Sequence, residues 1–195
     1  MITTMPRRLL RRMLHLLGMV ALVTSATLVT GVAPAHAATS GYFVFNKNWT
    51  DPTNSTLTWY VSSDNGGAAY TWRAGSGLGS TDECYKDHGW LPNGWYSVKL
   101  HYQYDGSLIK GVAFQLSDKT CSNGSAQRTE LFIHSEMNKD GIQGSTEPRR
   151  WDGDSDFKSG GCIKLRPDAI KEAANLFDKI YSPGTTYSNK LQVVS

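Results

Sequence analysis

Short stretches of alternating apolar and polar residues recur along this 195-residue chain, separated by Gly, Asp, Asn and Pro. Tyr42-Phe43-Val44-Phe45 is a compact apolar run and Leu57-Thr58-Trp59-Tyr60-Val61 alternates large residues, so both predict strands. Asp51-Pro52 and Asp64-Asn65-Gly66-Gly67 supply turns. Tyr96 to Tyr102 has the period of two of a strand with one solvated face. Asp105-Gly106 then signals a hairpin before a partner strand over Leu108 to Phe114. Thr129 to Ile133 predicts a central strand with His134 and Ser135 at its carboxyl end. Only one stretch repeats at helical spacing. Pro167 suits a first helical position, Asp168 and Glu172 complement the N-terminal dipole, and Ile170, Ala173, Leu176, Phe177 and Ile180 form one apolar stripe. Core packing accounts for that stripe. The pattern predicts a mainly-β domain with one helix, with no internal repeat, linker or separate binding module.

The first 37 residues do not fit this pattern. Arg7, Arg8, Arg11 and Arg12 form a basic start, Leu14 to Val32 an apolar core, and Ala35-His36-Ala37 a small-x-small ending. This is the layout of a secretory signal cleaved after Ala37, and it predicts a secreted or cell-wall protein of one domain over 38–195. The alternative is an uncleaved anchor, which the apolar length marginally permits. With cleavage, no stable membrane insertion is expected.

Charge then changes sign. The whole chain carries 20 basic and 17 acidic residues, and the leader holds four of the basic and none of the acidic. Sixteen against seventeen leaves a formal charge of −1 for 38–195. No basic stripe or aromatic pattern for RNA stands out there, so no nucleic-acid partner is expected.

Three cysteines, Cys84, Cys121 and Cys162, cannot all pair within one exported chain. The preferred pairing is Cys84 with Cys121, which leaves Cys162 as the thiol. In the alternatives Cys162 pairs instead, or is a buried apolar residue. Cys162 lies in Ser159-Gly160-Gly161-Cys162-Ile163-Lys164-Leu165, downstream of Leu131-Phe132-Ile133-His134-Ser135. A thiol is only slightly ionised near neutral pH and needs a neighbouring base or cation, for which His134 is the best supplier. The two glycines free the backbone to turn and to bring N–H groups towards a substrate carbonyl.

These residues resemble the active-site signature of the L,D-transpeptidases, the YkuD-like catalytic domain: a His, a variable stretch, then Ser/Thr-x-Gly-Cys-Ile/Val. Gly89-Trp90-Leu91-Pro92-Asn93-Gly94-Trp95-Tyr96 is similar to that family's turn before a strand, and Pro183-Gly184-Thr185 to its closing turn into the last strand. The resemblance spans roughly residues 40 to 195 and implies an L,D-transpeptidase-like β-sandwich or barrel with the helix after the cysteine turn. It implies an enzyme that acts on peptidoglycan stem peptides without a cofactor. Cys162 would attack the carbonyl between the third and fourth residues, forming a thioester that an amine or water resolves. His134 would be the base, the Ser135 main-chain carbonyl would hold its other ring nitrogen, and the Gly161 and Cys162 N–H groups would be the oxyanion donors.

Ser159, Gly160, Lys164 and Tyr96 are the candidate substrate-binding residues, Ser159 as a turn and hydrogen-bonding residue rather than a nucleophile. Two positions depart from the family pattern: Gly160 stands where many members carry a second His, and Lys164 where they carry Arg. Lysine keeps the charge but lacks the planar fork for a bidentate carboxylate contact. The His134-to-Cys162 separation is also longer than the family's, the extra length falling within 138–158. Of the other histidines in 38–195, His88 reads as a turn residue and His101 as a strand residue.

Asp152, Asp154 and Asp156 match positions one, three and five of an EF-hand loop, but Phe157 and Ile163 occupy its Gly and Glu positions, so no EF-hand is expected. The default is a solvated acidic loop; the sharper hypothesis is that it attracts the amine of an acceptor. No metal site is expected, since His134, Glu136 and Cys162 lack a zinc spacing. The remaining functions are an L,D-carboxypeptidase of the same fold, a non-catalytic cell-wall-binding protein, and a secreted protein acting on another cell or protein.

Overall fold

A computed structural model describes residues 40–63 and 66–195, which belong to one compact unit. The expected signal over 1–37 and the first half of the Asp64-to-Gly67 turn lie outside the described residues. Among the described residues no helix is long and apolar enough to cross a membrane.

Ten strands and one α-helix follow one another. They are β1 (Ser40–Asn46), β2 (Ser55–Ser63), β3 (Gly66–Ala74), β4 (Gly94–Asp105), β5 (Lys110–Leu116), β6 (Lys119–Thr120), β7 (Gln127–Arg128), β8 (Phe132–His134), β9 (Ile163–Lys164), α1 (Pro167–Asp178) and β10 (Thr186–Val194). Eight strands make one sheet in the order β3-β2-β1-β10-β4-β5-β8-β9, while β6 and β7 pair separately. Neighbours are antiparallel except β1 with β10 and β8 with β9.

Alternation sets which face is buried. Along β1, Phe43 and Phe45 are fully buried and Tyr42 points out; β2 sets Trp59 opposite Phe43 and Leu57 opposite Phe45, also buried. The β4–β5 register likewise matches Val98 with Leu116 and Leu100 with Phe114. A slip of one residue in either pair would turn this apolar set to solvent, so the pattern fixes the register.

The sheet curls until its two edges meet. Past the end of β3, Gly75 N–H donates to Lys164 O (3.0 Å) and Lys164 N–H to Gly75 O (2.9 Å), joining the β3 side to edge strand β9. Helix α1 packs against the buried face. Its Phe177 ring lies 5.4 Å from Phe114, 5.6 Å from Trp59 and 6.1 Å from Phe43. Glu172, on the exposed side of α1, accepts from the Trp72 indole of β3 (2.8 Å).

The mainly-β class and the helix starting at Pro167 agree with the sequence. Three details differ. Strand β3 was not anticipated, because nearly all of Gly66–Ala74 is exposed and shows no alternation of burial, although it pairs with β2 along its whole length. Strand β8 is three residues long and lies next to the edge strand instead of at the centre. Strand β5 starts at Lys110, two residues later than predicted.

Cys84 and Cys121 are joined in a disulfide, and Cys162 is free.

Candidate active site

The parallel pairing of β8 with β9 builds the site. Ile133 and Ile163 are register partners, both fully buried in the core. Side chains alternate along a strand, so their neighbours His134, Lys164 and, just before β9, Cys162 turn to the opposite face. That face opens into a cleft of about 320 Å³, which Cys162 and His134 line together with Tyr104 and Leu108. The remaining charge at its rim is mixed, with Lys86 and Lys158 against Asp87 and Glu130. Asp87 and Glu130 both adopt positive φ, 61° and 55°, a conformation uncommon for non-glycine residues.

The turn carrying Cys162 is held through its carbonyls. Gly160 O accepts from the Arg128 guanidinium (2.8 Å), Gly161 O from Ser76 Oγ (3.3 Å) and Cys162 O from Ser159 Oγ (2.5 Å). Ser159 Oγ also accepts from the N–H groups of Gly161 (3.2 Å) and Gly77 (3.3 Å). Ser159 is therefore a staple within the turn. The Gly161 N–H points at this staple, so of the two N–H groups expected as oxyanion donors this one is already engaged.

Gly161 cannot be another residue here. Its φ is +122°, and a Cβ would fall 2.0 Å from Arg128 Nη2.

Burial, with a smaller push from the Glu130 charge, moves the Cys162 thiol up to about 11, against a hydrogen bond from the Phe132 main chain and the positive charges of Arg128 and Lys164, which favour the thiolate. Its Sγ lies 3.6 Å from the Glu130 carbonyl. Burial, reinforced by the Lys164 charge, brings His134 down to about 4. Both groups are consequently neutral at pH 7. His134 Nδ1 lies 3.1 Å from the Ser135 carbonyl, an acceptor only, so Nδ1 carries the proton and donates it. Nε2 is left with its lone pair. Ser135 takes part through its main chain; its own Oγ is buried without a hydrogen-bond partner.

Lys164 reaches the cleft, but its ammonium is ion-paired with Glu136 Oε1, both side chains being buried, and lies 5.8 Å from the Trp151 ring centre. Its charge is committed to the protein, not offered to a substrate carboxylate. Carboxylate oxygens of Glu136, Glu147 and Asp156 gather within 4.8 Å of one another. This is a spacing that a metal ion could use, yet Lys164 already neutralises Glu136, and Arg150 pairs with Glu147 (3.2 Å). Burial and the two neighbouring acids raise Glu136, against Lys164.

Tyr96 is not a substrate-binding residue. It is 1% exposed, its hydroxyl donates to the Pro92 carbonyl (2.6 Å), and burial drives its ionisation far above the ordinary range. As an inward position of β4 it belongs to the core, and it lies off the cleft. The acidic loop is also reassigned. Asp156 is buried and accepts from the N–H groups of Asp152 (2.6 Å) and Gly153 (2.9 Å), Asp154 pairs with Arg73 (2.8 Å) and Asp152 with Arg150 (2.6 Å). None of the three lines the cleft, so none is placed to attract an acceptor amine there. His88 stacks on Tyr85 with ring centres 4.5 Å apart, and His101 faces Gln115 across β4 and β5.

The segment 138–158 places Lys158 at the cleft rim and also steadies the cleft from outside. Arg149 donates to the carbonyls of Ser107 (3.2 Å) and Leu108, in the β4–β5 hairpin whose tip lines the cavity.

Arg128 is the residue that sequence reasoning missed. It is 2% exposed, and its guanidinium donates to four main-chain carbonyls: Glu83 (2.7 Å), Trp90 (3.3 Å), Gly89 (3.2 Å) and Gly160 (2.8 Å). Nothing adjacent in sequence marks it, because every partner comes from a distant segment.

No family model, curated protein or solved structure matches the chain.

Proposed function

We propose that the protein is an exported cysteine acyltransferase of L,D-transpeptidase type that acts on peptidoglycan stem peptides. One observation carries the reading: Cys162 and His134 share one cleft, with His134 locked by the Ser135 carbonyl in the tautomer that leaves Nε2 free to take a proton. The motif order supports it, as does a curled, mainly-β sheet with its one helix after the Cys162 turn, which is compatible with an L,D-transpeptidase-like sandwich or barrel. The Cys84–Cys121 bond fits export to an oxidising compartment.

The chemistry starts from a neutral pair. As Cys162 Sγ bonds to the carbonyl carbon between the third and fourth stem residues, its proton passes to His134 Nε2. The Cys162 N–H faces the developing oxyanion, a contact of a kind typically worth about 3 kcal/mol in the transition state. Collapse breaks the C–N bond, and the leaving amine takes the proton back from Nε2. A thioester remains. An acceptor amine then attacks it, giving its proton to Nε2, and Cys162 leaves as the thiolate that this proton neutralises. Water in place of the amine gives the L,D-carboxypeptidase outcome by the same steps.

The test is incubation of the protein and of Cys162→Ala with disaccharide tetrapeptides and a D-amino acid, with products read by mass spectrometry. Exchanged or cross-linked products that vanish in the variant support transpeptidation, and loss of the terminal residue alone identifies the carboxypeptidase. Identical product patterns for both proteins would refute catalysis and leave a wall-binding role.

A further inference from the structure

We propose that Arg128 is a positioning residue of the Cys162 centre: one buried guanidinium ties the 83–90 loop to the nucleophile turn and supplies the fixed positive charge that stabilises the thiolate. The catalytic half of this statement rests on the acyl-transfer reading above; the electrostatic half stands on the thiol alone.

Three observations converge. First, the four terminal N–H groups are matched to four carbonyls, three from the loop (Glu83, Gly89, Trp90) and one from the turn (Gly160). A guanidinium fork can hold two backbone segments at once in this way, whereas a lysine ammonium is a single point of contact. Second, among the described residues no carboxylate lies within 4.0 Å of it. Carbonyl dipoles solvate a buried cation but leave its net charge in place, so its field acts on whatever ionises nearby. Third, the guanidinium lies against the turn that carries the thiol. Nη2 sits 2.0 Å from where a Gly161 Cβ would be, so the guanidinium lies directly against the residue preceding Cys162. Gly161 thus has a second purpose besides freeing the backbone: it makes room for this cation. Lys164 also acts on the thiol but Glu136 neutralises it, Lys86 and Lys158 line the same cleft, and Glu130 opposes the cations there.

The balance explains how a thiol raised by burial remains usable. Attack on a carbonyl requires negative charge on sulfur, and a permanent cation next to the turn favours that state without a moving proton.

Cys162 is the free cysteine, so its alkylation by iodoacetamide reports the thiolate without any substrate. The rate is measured from pH 6 to 11 for the protein, R128K and R128Q, alongside circular dichroism and thermal melting. Loss of the charge in R128Q is expected to raise the thiol by about one pH unit, which is read as a slower rate at every pH of the scan. The thiolate fraction at pH 8 then falls tenfold, partly offset by the greater nucleophilicity of a more basic thiolate, so the alkylation rate falls about threefold. R128K keeps the charge and is expected to keep the profile, while its melting temperature and kcat for D-amino-acid exchange fall because the fork is lost. R128Q folded with an unchanged profile would overturn the electrostatic role. Should R128Q not fold, R128K decides: a retained profile supports the proposal, and a threefold slower alkylation despite the retained charge overturns it. If the protein shows no exchange activity at all, the acyl-transfer reading falls while the alkylation result still judges Arg128.

Discussion

At the scale of single residues, the proposed pair of Cys162 and His134 is neutral at pH 7. The thiol is raised to about 11 and His134 lowered to about 4, so protonation of His134 removes the base only in strongly acidic solution. The acid limb of kcat/KM is accordingly expected near pH 4, well below the ordinary histidine range, and a pH–rate profile checks it; a limb near 6.5 would mean an exposed, unperturbed His134. Gly161→Ala should be severely destabilising, by about 3 kcal/mol or more, because it combines an unfavourable φ with a collision against Arg128. Chemical denaturation measures this. That Cys162, His134 and the glycine turn belong together was legible because they sit in two short, continuous blocks. Arg128 and the Lys164–Glu136 pair were not, since folding alone brings their partners together. Tyr96 misled for a related reason: alternation shows that a residue faces one side of a strand, but not whether that side is core or cleft.

At the scale of elements, α1 and the 138–158 segment have separable effects. Phe177 is the ring on which the aromatic core converges, touching Phe43, Trp59, Phe114 and Tyr181, so Phe177→Ala should cost about 3–5 kcal/mol of stability by denaturant titration. Arg149 instead steadies the hairpin tip at the cleft rim. Arg149→Ala is expected to raise KM several-fold with little change in kcat, a split that steady-state kinetics reads directly. Helix α1 was plain in the sequence because its first-position proline, dipole and stripe all agreed. Strands β1, β2 and β4 were plain because one face of each is buried. Strand β3 has neither buried face, and β8 is too short for any periodicity to register; hydrogen bonding to neighbours defines both.

At the scale of the whole molecule, the seam that closes the curled sheet runs beside the site. The Gly75–Lys164 bridge closes β3 against β9 immediately beyond Cys162, so loosening the sheet anywhere near this seam is felt at the nucleophile. The Cys84–Cys121 bond lies beside the Glu83 carbonyl that Arg128 holds. Its reduction removes a loop constraint worth about 4 kcal/mol in the chain-entropy model, a loss readable as a lower melting temperature under reducing conditions. Stability also carries a pH signature from His134. Its folded pKa lies below the unfolded value, so the unfolded chain binds the proton first. Stability is full above about pH 6.5 and declines as pH falls towards 4, by no more than about 3 kcal/mol from this group.

The central claim is that Cys162 forms a thioester with a stem peptide. Intact-protein mass spectrometry after brief mixing with a disaccharide tetrapeptide and acid quenching tests it most directly. The account predicts an adduct equal to the donor minus its terminal D-amino acid, mapped to Cys162 and absent in Cys162→Ala. Full turnover of donor without any adduct on Cys162, or an adduct that persists in the variant, would contradict it.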